Sequence, residues 1–259
     1  MSEAPRLALL DSGTPAASAA AAELRAAHAF VPLEEADIAV VLGGDGHMLH
    51  VLHHMLDSGR VIPAYGLNHG TVGFLMNRPK SSRALTYRIA RARTVAVHPL
   101  AMTAITGSGQ QETFFAINEV SLLRETHQAA ALEVTVNGKV RMASLACDGI
   151  LVATPAGSTA YNLSANGPIL PLGSNVIAMT PISPFRPRRW RGAILPDHYE
   201  IGFRVLEAGK RPVAAVADQK ELRDISEVRI AIARDHRLDL LFDPGRTLEE
   251  RIFAEQFQV

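Results

Sequence analysis

The stretch 37–68, DIAVVLGGDGHMLHVLHHMLDSGRVIPAYGLN, changes its hydrophobic period twice. Residues 37–42 (DIAVVL) are a short continuous apolar run, the pattern of a strand covered on both faces. From Gly46 onward Met48, Leu49, Leu52, Met55 and Leu56 recur at helical intervals as far as Gly59, and VIPAYGLN at 61–68 then reads as another strand. Strand, helix, strand in this order implies a parallel sheet with helices packed on it. Ligands of such folds collect at the carboxyl ends of the strands. Upstream, RLALL at 6–10 predicts a first strand, and the Ala-rich 16–29 a helix, because Ala, Glu, Leu and Arg lose little side-chain entropy there. The expected fold class is α/β, with a Rossmann-like N-terminal domain.

Beyond a helical stretch at 80–93 the pattern changes. TVAVHPLAMTAITG, TFFAINEVSLLR and ALEVTVNGKV bring β-branched residues, alternation and the Asn137-Gly138 hairpin signal. Segments around 150–153, 176–180, 200–207, 212–217 and 227–233 extend the β-rich character. The reading is an α/β domain over 1–97 and a β-rich, sandwich-like domain over 98–244. The helix-prone end, 245–259 with TLEERIFAEQF at its centre, is expected to pack back on the first domain.

Composition narrows the function. The chain has 259 residues, 47% of them hydrophobic, enough for one large or two modest cores. Lys+Arg and Asp+Glu balance at 26 each, which argues against a partner held by bulk charge, whether nucleic acid or anionic lipid, and favours a small molecule. The single Cys147 excludes an intrachain disulfide and reads as a small core residue. No basic start precedes an apolar segment, and no apolar run approaches the roughly 20 residues that span a bilayer. A cytoplasmic protein without a membrane segment is expected.

Gly43-Gly44-Asp45-Gly46 ends the second strand. Glycine permits positive φ and removes bulk, so backbone N–H groups can approach a phosphate at the start of the following helix. Asp45 is a poor phosphate ligand, since two negative groups repel. It reads either as a helix N-cap or as a base, a hydroxyl acceptor or a metal contact. A second Gly-rich turn, GLNHGTVGFL at 66–75, follows the next strand. Asn118-Glu119 closes an alternating run, and DGILVATPAGSTAYNLSANGP at 148–168 gathers Thr154, Ser158, Thr159, Tyr161, Asn162, Ser164 and Asn166 around Gly157 and Gly167. Such neutral donors and acceptors suit sugar hydroxyls and base edges better than a metal, although a polar surface loop has the same composition. Of His47, His50, His53 and His54 only the pair His50 and His54 has ligand spacing, with no carboxylate beside it, so no protein metal site is expected.

Together these segments resemble the NAD kinase family. The GGDG turn, GxxGF at 70–74, Asn118-Glu119, and TPAGSTAY at 154–161 with Ser164 and Gly167-Pro168 follow the family's order and spacing, over roughly residues 37–220. The resemblance implies transfer of phosphate from ATP, accompanied by Mg²⁺, to the 2′-hydroxyl of the adenosine ribose of NAD. It makes Asp45 the proton acceptor and brings the backbone at Gly44 and Gly46, with His50 one turn on, to phosphates. Asn118, Glu119, Thr159, Ala160, Tyr161, Asn162 and Ser164 become contacts at the adenosine end, and Asp148 one nearer the nicotinamide, with Ala156 nearby. It also implies a homo-oligomer, dimer or tetramer. Two departures stand out: Phe185 replaces a common His beside Arg186, Arg188, Arg189 and Arg191, which read as a solvated charged face in preference to groups meeting nucleotide phosphates or a neighbouring subunit, and Gln219 follows Asp218 where Gly is more usual, leaving the role of Asp218 open. A catalytically silent dinucleotide sensor, or a lipid or sugar kinase sharing the GGDG turn, are the competing readings.

Overall fold

The computed structural model describes residues 4–79 and 84–244; the helix expected at 245–259 and the start of the one expected at 80–93 lie outside them. The chain splits into two compact units, Met1–Val97 with His236–Val259, and His98–Asp235. Among the described residues no helix is long and apolar enough to cross a membrane.

The first unit carries a five-stranded sheet in the order Leu7–Asp11, Ile38–Gly43, Ala64–Asn68, Leu238–Phe242, Arg93–Val97. The first three strands are parallel, in registers that include Leu7↔Ile38 and Ala39↔Ala64. Parallel neighbours need crossovers, and the helices Pro15–Ala27 and Asp45–Asp57 supply them. The first begins where the Thr14 hydroxyl accepts from the Ala17 amide and Pro15 presets the helical φ; it buries Ala17, Ala21 and Leu24 along one face. The second buries Met48, Val51, Leu52, Met55 and Leu56, the spacing read from the sequence. Between them, Val40, Val41 and Leu42 are fully buried, which is why that strand is apolar without alternation.

The second unit is a sandwich of two six-stranded antiparallel sheets. One runs Ala193–Pro196, Val176–Ile182, Gly149–Ala153, Glu119–Arg124, Val213–Ala217, Lys220–Leu222; the other Gln111–Ala116, Leu100–Thr106, Ile225–Ile232, Ile201–Val205, Ala130–Val136, Lys139–Cys147. Val120, Ile150, Val152 and Ala215 of the first share one core with Leu100, Met102, Phe203 and Ile230 of the second. Asn137 and Gly138 take φ of 50° and 70° in the predicted hairpin, the handedness a tight turn between twisted strands requires. Cys147 is enclosed in this core, where burial pushes its thiol up to about 12.

Leu238–Phe242 departs from the sequence reading, which ran the β-rich domain to 244. The strand instead enters the first unit's sheet, parallel to Ala64–Asn68 at Leu240↔Ala64 and antiparallel to Arg93–Val97. LDLLF looks the same whichever sheet it joins; its place is set by the residue after it. Asp243 accepts from Arg88 Nη2 at 2.6 Å and from the Tyr65 hydroxyl at 2.8 Å, while Asn77 binds the Asp243 amide and the carbonyls of Gly66 and Leu241. Arg88 is only 7% exposed and Asp243 14%, so this pair is a buried one. Removing one partner of such a pair leaves an uncompensated charge and costs about 3–5 kcal/mol. Asp243→Ala is therefore expected to lower the free energy of unfolding in urea by about that amount; a loss below about 1 kcal/mol, the range of an exposed pair, would contradict the pinning role.

Candidate active site

The helix Asp45–Asp57 is capped by Gly44, with no side-chain cap bond, so Asp45 is its first residue and the N-cap reading of Asp45 is overturned. The carboxylate instead reaches across to the second Gly-rich turn. Oδ2 accepts from the amides of Gly73 (3.0 Å) and Phe74 (2.9 Å), and Oδ1 from Leu75 (2.7 Å). A carboxylate offers about four lone-pair positions, so one remains, on Oδ1. The turn itself is held by Asn68, whose Oδ1 accepts from Gly70 N at 2.9 Å and whose Nδ2 donates to Val72 O at 3.1 Å. Gly73 is required there twice over: its φ is +78°, and a Cβ would fall 2.3 Å from Asn68 Cγ.

The glycines of the GGDG turn are needed for a different reason from the one their sequence suggests. Gly43, Gly44 and Gly46 all lack positive φ. Gly43 is a packing residue, since a Cβ would stand 3.0 Å from both Ser12 Cβ and His47 Cβ. At Gly44 a Cβ would make only an ordinary contact, 3.5 Å from Gly70 Cα, and at Gly46 it would meet nothing within 4 Å. Gly44 is the N-cap, where Gly is preferred over Ala, but nothing inside the unit requires glycine at 46, although glycine in a helix costs about 0.5–1 kcal/mol relative to Ala. At Gly46 this leaves open space in the first turn of the helix, an end where an anion is favoured. His50 is exposed one turn further on, its ring parallel to that of His47 at 6.5 Å between centroids. His47 Nε2 is buried without a partner, and burial pushes this imidazole down against the backbone hydrogen bond to Leu10 that raises it.

In the second unit, Asn118 and Glu119 stand on a turn whose backbone is completely bonded. Asp218 accepts from the amides of Ile117 (2.6 Å), Asn118 (3.1 Å) and Glu119 (3.1 Å), and its own N–H donates to Glu119 O at 3.1 Å. Thr154 supplies the rest, its hydroxyl donating to Ile117 O at 2.7 Å and its amide to Asn118 O at 2.9 Å. Gly157 presses on the same peptide, where a Cβ would lie 2.1 Å from Asn118 O. Glu119 Oε2 is buried with no hydrogen-bond partner. Burial first, and then the charge of Asp218, push the Glu119 carboxyl up to about 7, against a bond from the Tyr161 amide that lowers it.

The polar loop that follows divides into two sets. Thr154, Ser158 and Asn162 are fully buried and point inward. Asn162 donates to Ser158 O and Pro168 O and accepts from the Thr180 hydroxyl at 2.7 Å, so its side chain locks the loop and is not available to a ligand, contrary to the sequence expectation. Gly167 is glycine because a Cβ would strike Asn162 Oδ1 at 2.1 Å. Thr159, Ala160, Tyr161 and Ser164 remain accessible, whereas Ala156 is 7% exposed. Asp148 is not brought together with Ala156. It precedes the strand Gly149–Ala153, the loop follows it, and the two ends stand on the order of 20 Å apart along the chain. There Asp148 pairs with Arg124 Nε at 2.7 Å. Arg186, Arg188, Arg189 and Arg191 are all exposed. The sequence reading missed Asn68, Thr154 and Asp218 as builders of the site. An Asx-type turn at Asn68 has a local signal, but the partners of Thr154 and Asp218 lie far away in sequence.

Glu119 carries a measurable consequence. A carboxyl raised from 4.5 to about 7 on folding keeps its proton in the native state while the unfolded chain has lost it, so stability falls as pH rises through that window. The shift corresponds to about 3 kcal/mol at full ionisation. Glu119→Gln is expected to raise the Tm at pH 8 and to leave it nearly unchanged at pH 4.5; equal effects at both pH values would show that Glu119 is not the group responsible.

Comparison with known proteins places these features. Residues 12–94 match the family model of the ATP-NAD kinase N-terminal domain and residues 117–238 that of the C-terminal domain. The chain is 58% identical to the NAD kinase of Rhizorhabdus wittichii and 55% identical to that of Zymomonas mobilis, in each case over 98% of both chains. The NAD kinase of Caulobacter vibrioides is 54% identical over 97% of this chain and 96% of its own. Among solved structures, yeast NADH kinase complexed with NADH superposes with a TM-score of 0.80 at 22% identity, covering 97% of this chain and 87% of that one. An NAD kinase from Archaeoglobus fulgidus in complex with ATP gives 0.76 at 23% identity, covering 96% and 98%, so the likeness in fold holds well beyond the close relatives. Matched in both halves and at more than half identity over nearly its full length, the chain belongs to the NAD kinase family, the ATP-dependent kinases that phosphorylate NAD.

Proposed function

We propose that Asp45 is the proton acceptor for the 2′-hydroxyl of the adenosine ribose of NAD. The observation that carries this is the carboxylate held by three amides with one acceptor position left on Oδ1. A group so fixed has little freedom to lose when a hydroxyl arrives, and positioning is most of what phosphoryl transfer asks of a protein. In the step itself the hydroxyl oxygen bonds to the γ-phosphorus of ATP and the bond from that phosphorus to the ADP oxygen breaks. The hydroxyl proton passes to Asp45 and ADP departs, leaving NADP. The clear space at Gly44 and Gly46 is assigned to donor phosphates, with exposed His50 as a neighbouring donor.

Asn118, Glu119, Thr159, Ala160, Tyr161 and Ser164 are assigned to the adenosine end of NAD, and Asn162 to the loop that presents them. Among the described residues no group of three or more His, Cys, Asp or Glu side chains could hold a metal ion. Mg²⁺ is assigned to the donor's phosphates, with which it enters; bound there it would neutralise charge on the donor oxygens. The dimer or tetramer implied by the resemblance remains part of the proposal, with Asp148 as a contact given to a neighbouring copy's dinucleotide. Sedimentation of the purified chain as a monomer at active concentrations would remove that part.

Incubation with Mg-ATP and NAD, with NADP read by a coupled dehydrogenase, tests the reaction. Asp45→Asn is expected to lower kcat by about 10²–10⁴-fold. Its amide would also face the N–H groups of Gly73 and Phe74, so a lower Tm should accompany the loss. A Tm that falls while kcat holds would make Asp45 a loop clamp alone. Tyr161→Ala should mainly raise KM for NAD through lost ring contact, with kcat little altered; an unchanged KM would take Tyr161 out of the site.

A further inference from the structure

Asp218 lies in the tight connection between the strands Val213–Ala217 and Lys220–Leu222, in the left-handed region at φ +50°. Asp tolerates that conformation better than most residues, yet it remains an unusual one for a side chain to hold. What it secures lies elsewhere in sequence. The Asp218 carboxylate binds three successive amides of Ile117, Asn118 and Glu119, and its amide binds Glu119 O. With Thr154 on the carbonyls of Ile117 and Asn118, the six backbone polar groups of these residues are satisfied by two partners. The N–H groups of the turn therefore have no hydrogen bond left to offer a ligand, and donation falls to the side chains of Asn118 and Glu119. Of these, Glu119 Oε2 is buried and unpartnered.

We propose that Asp218 is a positioning residue for the dinucleotide site: it fixes where Glu119 Oε2 stands and makes Glu119 meet the ligand as a proton-bearing donor. This rests on the reading of Asn118 and Glu119 as NAD contacts. The titratable groups facing Glu119 are the Asp218 carboxylate, whose charge disfavours a second one, and the Tyr161 phenol, itself pushed up by burial and by Glu119. Asp218 accepts from three amides, whereas Glu119 Oε2 is buried with no partner, and that burial together with the charge of Asp218 favours the protonated form of Glu119. A neutral carboxyl there can donate to a ring nitrogen, a ribose oxygen or a phosphate oxygen, and it adds no repulsion against an anionic dinucleotide.

The test is the pH dependence of kcat/KM for NAD in the full chain. Wild type should lose efficiency with a midpoint near 7 as Glu119 ionises. Asp218→Asn keeps the shape and one acceptor but removes the charge. It is expected to move the midpoint down by about one pH unit and to raise KM for NAD by about five- to tenfold, with kcat changed by less than about twofold. A parallel loss in kcat and KM with the midpoint unmoved would mark a merely structural role and overturn the proposal. Glu119→Ala separates the two readings, because Gln would keep a neutral donor in place. If Glu119→Ala leaves KM for NAD unchanged, the NAD contact itself is wrong; if it raises KM and abolishes the midpoint while Asp218→Asn leaves that midpoint in place, only the role of Asp218 falls. Should Asp218→Asn fail to fold, the ¹³C shift of the Glu119 carboxyl in wild type decides: titration near 7 supports the proposal, and titration in the ordinary carboxylate range overturns it.

Discussion

A carboxylate that accepts three successive backbone amides is the interaction that holds the motif-bearing turn in each unit. Asp45 holds Gly73, Phe74 and Leu75 in the first unit, and Asp218 holds Ile117, Asn118 and Glu119 in the second. The motif answers a general difficulty. A loop that must present groups to a ligand cannot satisfy its own N–H groups through a sheet or helix, and unbonded amides would leave it mobile or misfolded. One charged acceptor gathers three of them at once, with bonds stronger than those between neutral partners. The same economy makes both aspartates hard to replace, because Asn offers a single acceptor oxygen and a competing donor.

Much of this architecture was legible in the sequence, and what was not legible has a common cause. The apolar run at 37–42, the helical spacing from Met48 to Leu56 and the Asn137-Gly138 turn are local patterns, and each formed the element it predicted. Leu238–Phe242 was legible as a strand but not as a member of the first sheet, since the choice is made by Asp243 and its bonds to Arg88 and Tyr65, more than 150 residues away. Asp218 escaped for the same reason, having its partners about a hundred positions upstream. The TPAGSTAYNLS loop shows the matching limit of composition. Its polar residues look alike in sequence, yet Thr154, Ser158 and Asn162 face inward at intervals of four while Thr159, Tyr161 and Ser164 stay accessible.

The GGDG glycines sharpen the difference between a residue needed by the fold and one needed by a ligand. Gly73 and Gly43 are explained from within, by a positive φ and by the packing of Ser12 and His47. Gly44 serves as the helix N-cap, where Gly is preferred over Ala, whereas Gly46 is explained by nothing in its own unit, and an Ala there would favour the helix. A side chain withheld where the fold would accept one points outward, to whatever must come close to the backbone there.

Glu119 carries the same argument in the opposite sense. A buried oxygen with no partner is unfavourable in the unliganded protein, and so is the buried Nε2 of His47 beside the GGDG turn. Elsewhere among the described residues buried polar side chains are bonded, Arg88, Thr154, Ser158 and Asn162 among them. Both exceptions fall on the segments that carry the family's motifs. Consistency between local rules and global fold is what makes a sequence foldable, so two exceptions placed there are better read as hydrogen bonds withheld for a ligand than as defects of packing. In Glu119 the withheld bond is coupled to a proton, and in the proposed reading stability and recognition draw on the same group: the stability lost as pH rises towards about 7 and the donor proposed for the dinucleotide both go with that one proton.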